Sequence, residues 1–381
     1  MKQFDRTKLI ALPLDQRASK SAIEQIAWDP ASDPPPVSER NRDLIDRIAD
    51  QIIQSRQRQA SVILTFGAHL IKNGLGPLVR RMVQEGYFSH VATNGAGSIH
   101  DWEFAFHGRS EEDVRANVEI GQFGIWEETG KYLNWALLLA AARGLGYGEA
   151  IGAMIHDESL LIPPLDELEQ QVLGMVAHRQ FHQPSLAGMI DLLSLMQRER
   201  LRLPPGRFPI AHPFKRYSFQ EGAYVAKVPV TVHPGFGYDI IYESQYNSGA
   251  AIGRVAQVDW LRFAESISHL DGGVYLSIGS AIMSPMIFEK ALSMARNVAR
   301  QSNRQISDFM IVVNDIQPTG EWRWGTGQEP PKDSPAYYLR FCKTFDRMGA
   351  REMHYLCLDN RAFLINLYHS ILKKTGASMD T

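Results

Sequence analysis

The chain has 381 residues, 44% of them hydrophobic and 22% charged, with 40 basic against 42 acidic side chains and a net charge of -2. That is the composition of a folded globular protein, and so even a charge balance gives no general basic footprint for nucleic acid. Two cysteines, Cys342 and Cys357, are too few for a disulfide framework or a cysteine zinc site and fit a reducing compartment.

At the start of the chain, the short run LIALPL is broken by proline and has no small-residue cleavage site, so no signal peptide is expected. No apolar run reaches the length of a membrane span, which predicts a cytoplasmic protein without a membrane partner. Residues 28–40, WDPASDPPPVSER, lack periodicity and predict an extended connector. From Asn41 the pattern is helical. A strand-and-helix alternation follows: SVILTFG, GLGPLVRRMVQEG, SHVATNG and IHDWEFAF. Short apolar runs separated by amphipathic helices predict βαβ units and a parallel sheet.

Residues 129–203 carry helical spacing throughout, in KYLNWALLLAAARGLG, LDELEQQVLGMVAHRQ and SLAGMIDLLSLMQRER, with no strand expected. The alternation resumes in KVPVTVH, GGVYLSIGS, DFMIVVND and REMHYLCLDN, making at least six strands available. The expected fold is α/β, a doubly wound, mostly parallel sheet with helices on both faces. It forms a single domain over 1–381, with 1–40 as N-terminal segment and linker and 130–205 as a helical insertion.

In such a sheet, ligands sit outside the carboxyl ends of the strands. That rule selects Gly67 and His69, the stretch Asn94, Gly95, Ala96, Gly97, His100 and Asp101, the loop from His233 to Asp239, Gly279 and Ser280, Asn314 and Asp315, and Asp359. Glycines admit a ligand to the backbone, and carboxylates can accept from ribose hydroxyls or a substrate ammonium, so a nucleotide is expected. NGAGSIHD does not fit the Gly-x-Gly-x-x-Gly fingerprint, because the position three beyond Gly97 is His100. His100 and Asp101 can form a general acid/base pair, or Asp101 can cap the helix with His100 on its surface. HPGFGYD, residues 233–239, is either a ligand loop or a glycine-rich turn with an incidental Asp239. His178 and His182 are four apart on a predicted helix but lack the glutamate of a zinc-protease motif, and His156 with Asp157 is no stronger. No metal ligand is assigned. Trp322 and Trp324 lie in a long loop that either covers a site or anchors itself.

FGAHLIKNGLGPLVRRMVQEG with HVATNGAGSIHDWE, then VPVTVHPGFGYDII, GGVYLSIGSAIMSP, DFMIVVND and YLCLDN, together resemble the deoxyhypusine synthase family and its bacterial homologues in the same order. The resemblance is scattered over about 60–360 and omits 130–205. It implies NAD bound without the usual fingerprint, sites at subunit interfaces of a homotetramer with a dimer as second choice, and transfer of an aminobutyl group from a polyamine through a lysine imine. By position it places Asn94 to Gly97 along the cofactor and His100 and Asp101 where the family has two acidic residues. It also places Asp239 near the polyamine, Gly279 and Ser280 at the glycine turn, and Asp359 at a late cofactor contact. The family's imine-forming lysine lies in a Trp-Gly-Lys stretch, whereas this chain reads SPAYYLRFCKTF, with Lys343 displaced by about two positions. Three readings follow: an NAD-dependent enzyme acting on an amine or hydroxyl substrate with His100 as proton acceptor; a metal enzyme or hydrolase using His100, Asp101, His233 and Asp239; or a noncatalytic nucleotide-binding protein.

Overall fold

The computed structural model describes residues 1–197 and 203–377. Its strands are β1 (Ser21–Ala22), β2 (Val62–Phe66), β3 (His90–Thr93), β4 (Arg109–Ser110), β5 (Ser159–Ile162), β6 (Gly206–Pro209), β7 (Val230–Val232), β8 (Val274–Ile278), β9 (Met310–Asp315) and β10 (Glu352–Cys357). Six of them form one parallel sheet in the order β10-β9-β8-β2-β3-β7. Numbered by their place in the chain, those six run 3-2-1-4-5-6 from the β7 edge. This doubly wound order puts its switch point between β2 and β8.

Both faces of this sheet are covered, so its strands are continuous apolar runs whose alternate side chains enter different cores. Val62, Leu64, Phe66, Val274, Leu276, Ile278, Met310 and Val312 pack with the helices Glu39–Gln57, Gly76–Gln84 and Asn360–Thr375. Ile63, Tyr275, Ile311 and Val313 face the helices Gly249–Ser268, Met283–Gln301 and Arg340–Asp346. Helix Glu39–Gln57 begins where the Ser38 hydroxyl accepts from the Asn41 amide at 3.3 Å, and it buries Ile45, Ile48 and Ile52 at helical spacing.

The crossover from β3 to β7 contains the helix-rich segment, and here one expectation is corrected. β5 lies between helices Tyr147–Asp157 and Leu165–Ala177 and pairs antiparallel with β6, Leu160 opposite Phe208. Four residues, SLLI, are too few for a period-2 pattern to stand out from flanking helices. The end of the predicted helix over 185–200 lies outside the described residues. Helix Glu127–Arg143 is buried almost all round, with Leu133 and every residue from Trp135 to Ala142 inside the second core. Its aliphatic richness is thus absorbed within the chain. Among the described residues, no helix is long and apolar enough to cross a membrane.

The N-terminal segment is pinned to the body. Leu12 bridges Trp126, the Leu14 amide donates to Glu128 at 2.7 Å, and β1 pairs with β4 with Ser21 opposite Ser110.

Candidate active site

The site grows from the carboxyl end of β3. Asn94 leaves the strand extended and caps helix Gly95–His107, its side-chain oxygen accepting from the Gly97 amide at 2.9 Å. A second acceptor comes from the loop after β7, where the Asp239 carboxylate lies against Gly95 and the backbone N–H groups of Ala96 and Gly235 favour its ionised form. A Cβ on Gly95 would stand 2.2 Å from the Asp239 carboxylate, so the missing side chain is what lets the acid reach the helix. The exposed amides of a helix N-terminus form an anion site, and here the protein's own carboxylate fills it. The bare turn noted in the sequence thus receives Asp239, and Gly97 packs against Thr93, whose Oγ1 would lie 2.1 Å from an added Cβ. Burial pushes the Asp239 pKa up to about 6 against the help of those two amides. Its Oδ2 is buried without a hydrogen-bond partner among the described residues.

One turn into the same helix, the half-buried His100 donates or accepts through Nδ1 at 2.7 Å from the Ser110 hydroxyl, and that hydroxyl donates to Glu103 Oε2 at 2.5 Å. Glu103 also receives both guanidinium arms of Arg17, at 2.7 and 2.9 Å, and the Thr129 hydroxyl at 2.9 Å. Burial opposes ionisation of Glu103, but the charge and hydrogen bonds of Arg17 outweigh it and hold the carboxyl below its usual range. Burial lowers the His100 pKa, which favours the neutral ring.

A cavity of about 210 Å³ is lined by His100, Glu103, Arg17, Ala96 and Asp239, together with Lys72, Glu111, Glu112 and Tyr238. Lys72 pairs with Glu111 at 2.8 Å. A larger hollow, about 580 Å³, opens beside Val230 at the amino end of β7. Of its charged side chains Arg262 pairs with Glu149 and His156 with Glu221, while Lys227 makes no ion pair among the described residues. The smaller cavity has the position expected for chemistry, at the carboxyl end of the sheet, and we take it as the candidate site.

The remaining sequence candidates divide. Asp101 is not brought together with His100: it is fully buried on another face of the helix, accepting from Ser218 Oγ at 2.6 Å, Phe219 N at 3.1 Å and Gln220 Nε2 at 3.0 Å. It ties down the start of helix Phe219–Val225, and burial, partly countered by these donors, pushes its pKa up to about 6. His233 sits in an aromatic layer against Phe263 and Trp260 with Nε2 3.1 Å from Thr231, and burial lowers its pKa to about 3. The four residues of the metal reading are therefore in three places, and among the described residues no group of three or more His, Cys, Asp or Glu is arranged to hold a metal.

At the switch point Gly67 and Gly279 meet. A Cβ on Gly67 would lie 2.3 Å from the Gly279 carbonyl oxygen, and Gly279 itself has φ +54°. Ser280 accepts from the Ser284 amide at 3.2 Å, and helix Met283–Gln301 starts there without a side-chain cap at Ile282. Asn314 donates to the Leu358 carbonyl at 3.1 Å and to Asn360 at 3.3 Å; Asp315 holds the Gln317 amide at 3.1 Å, and the exposed Asp359 caps helix Asn360–Thr375 through Arg361 N at 2.8 Å. His69 is exposed at the start of the short helix His69–Lys72.

Lys343 does not line the cavity; its ammonium lies 3.5 Å from the Tyr337 ring centroid and 3.9 Å from Glu329. Trp322 and Trp324 pack edge to face at 6.3 Å, with Trp324 buried in the third core, so they anchor their loop. His178 is the C-cap of helix Leu165–Ala177 and His182 lies beyond it, so the two histidines do not share one helix.

No protein-family model matches the sequence, and no curated protein is similar to it. Solved structures with some likeness include AgrE in ternary complex with ornithine and NAD+, at 13% identity and TM-score 0.45, covering 89% of this chain and 34% of AgrE. A LOR/SDH protein of Methanococcus maripaludis S2, provisionally so named, has 15% identity and TM-score 0.42 over 90% of this chain and 74% of its own. A protein from Entamoeba histolytica provisionally named deoxyhypusine synthase has 9% identity and TM-score 0.39 over 88% and 90%. The chain thus spans about a third of the length of AgrE. Likeness at this level carries no argument about ligand or reaction.

Proposed function

We propose that the protein is an NAD-dependent enzyme that oxidises a small amine or polyamine-like molecule, with His100 as proton acceptor and Asp239 as anchor for the substrate's cationic group. One observation carries this reading: the Asp239 carboxylate, with its unpartnered Oδ2, and the His100 ring line one cavity. A buried carboxylate oxygen lacking a donor is costly, and an ammonium would satisfy it.

The dinucleotide fits the switch point better than the β3 turn, because the β3 helix amides already hold Asn94 and Asp239. The turn Gly279–Ser280, the start of the next helix beyond the Ser284 amide that Ser280 already holds, and the exposed Ile282 and Ile316 support this placement with close-approaching backbone and apolar cover. Gly67, Asn314, Asp315 and Asp359 would complete that holding surface from neighbouring strand ends. NAD held there would supply the electron-pair acceptor for the substrate carbon. His100 takes the proton leaving nitrogen or oxygen, and Asp239 keeps the remote cation in place. No imine at Lys343 is proposed, since its side chain does not line the cavity and its ammonium lies against Tyr337 and Glu329 instead.

The test is NADH formation from NAD over a panel of diamines, polyamines and amino alcohols, with equilibrium dialysis of NAD in parallel. Turnover with at least one amine supports the reading. Neither NAD retention nor NADH formation with any panel member would overturn it. We further propose a homotetramer, supported by the family resemblance and by Phe236 and Tyr238, 65% and 84% exposed next to the cavity. A monomer by sedimentation equilibrium at micromolar concentration would refute that assembly.

A further inference from the structure

We infer that Ser110 and Glu103 are positioning residues that lock His100 in the tautomer protonated on Nδ1, leaving the Nε2 lone pair as the base in the cavity. The deduction is one of donors and acceptors. A carboxylate can only accept, so the Ser110 hydroxyl, 2.5 Å from Glu103 Oε2, must spend its single proton on Glu103. The same oxygen is 2.7 Å from His100 Nδ1 and has only lone pairs left for it. Nδ1 therefore carries the hydrogen, and neutral His100 keeps its lone pair on Nε2.

The chain of bonds is built to stay ionised at its far end. Glu103 is 1% exposed and bidentate to Arg17, itself 6% exposed, so the carboxylate that orients Ser110 is fixed as an anion. Ser110 is held in register by pairing of β4 with β1. Arg17 and β1 both come from the N-terminal segment, so that segment orients the base without lining the sheet. A ring whose second nitrogen is fixed by a hydrogen bond presents one defined nitrogen to a ligand.

The inference rests on the proposed function only in taking the cavity as the place of proton transfer. The tautomer can be read without substrate. Solid-state ¹⁵N spectra of the full chain labelled at histidine, with His100→Gln to assign the resonances, should give a pyrrole-type Nδ1 and a pyridine-type Nε2 for His100 at neutral pH. Ser110→Ala should lose that single-tautomer pattern and Ser110→Thr should restore it. Diethylpyrocarbonate should modify His100 in the parent chain, and peptide mass spectrometry should show at least a few-fold slower modification in Ser110→Ala. Turnover on the best amine should fall about 10-fold or more in Ser110→Ala with KM unmoved, and return in Ser110→Thr. An Nε2-protonated ring in the parent chain, or an unchanged pattern in Ser110→Ala, overturns the relay. The expected tautomer behaviour without NADH formation from any amine leaves the relay standing and overturns the proposed function instead.

Discussion

Replacing Gly67 by alanine tests the switch point directly. An ideal Cβ there would lie 2.3 Å from the carbonyl oxygen of Gly279, 3.4 Å from its carbonyl carbon and 3.8 Å from Ser280 Cα. Real Cβ atoms do not approach within 3.0 Å, so the ends of β2 and β8 must part by at least 0.7 Å, the difference of 3.0 and 2.3 Å. The obstacle is backbone. Gly67 N donates to Ile278 O at 3.2 Å and Gly279 N to Asn314 O at 2.9 Å, so the shift strains ladder bonds on both sides. Overpacking costs about 1–3 kcal/mol and a weakened hydrogen bond about 1 kcal/mol more. The same substitution at Gly174, inside helix Leu165–Ala177 with nothing within 4 Å, should instead stabilise by about 0.5–1 kcal/mol. Urea unfolding of both variants at matched pH compares them, with m-values checked for a changed unfolded state. NAD dialysis should show weaker binding for Gly67→Ala and parent-like binding for Gly174→Ala. Equal stability of Gly67→Ala and the parent chain would refute the account of the glycine pair.

Three further outcomes are expected. His100→Ala should lower turnover by roughly two to four orders of magnitude, whereas Lys343→Ala should leave it near the parent value; a borohydride-reducible adduct on Lys343 would reverse that assignment. Asp239→Asn should raise KM for a cationic substrate about 30-fold, the equivalent of roughly 2 kcal/mol, and kcat/KM of the parent should fall as pH drops through the Asp239 pKa of about 6, because only the ionised form holds the ammonium. Asp259 accepts from Gly148 N at 3.0 Å and Val232 N at 2.8 Å, and burial pushes its pKa up to about 7, so the native state binds the extra proton and stability from this group is lost as pH rises from about 4 to 7. Asp259→Asn should remove that loss: the stability difference between variant and parent should grow in the variant's favour across this window and stay level above it, and a difference independent of pH would count against the assignment.

The sheet was legible because its strands are buried on both faces, which writes them as unbroken apolar runs such as VILTF and MIVVND ending in glycine, asparagine or aspartate. β5 and β6 were not, since a four-residue strand among helices leaves no periodic trace. The site was half legible. His100 and Asp101 are neighbours in sequence, but on a helix successive residues point about 100° apart, so adjacency argues against one shared cavity. The informative spacing was His100 to Glu103, three apart and on one face. Arg17 and Lys72 come from segments remote in sequence, and Ser110 and Glu111 follow the helix closely without a local motif; the pairing of β1 with β4 and the helix after β2 bring them to the cavity.

Asp239 also changes how the glycine turn should be understood. Bare backbone after a strand of a doubly wound sheet is ordinarily read as room for a phosphate at the helix N-terminus. Here the loop after β7 delivers a carboxylate to the same amides, and Gly95 lacks the side chain that would block it. An acid so placed is stabilised by the helix dipole yet has one oxygen, the buried Oδ2 that lies nearest Gly95, without a hydrogen-bond partner among the described residues. That asymmetry suits a residue that must remain available to an incoming cation. It leaves the β8 turn, with the left-handed Gly279 and the helix that starts beyond it, as the other strand-to-helix turn at the switch point. Under the proposed function, cation recognition and dinucleotide binding are therefore divided between the strand ends on either side of β2, with His100 and its Ser110 tether on the cation side.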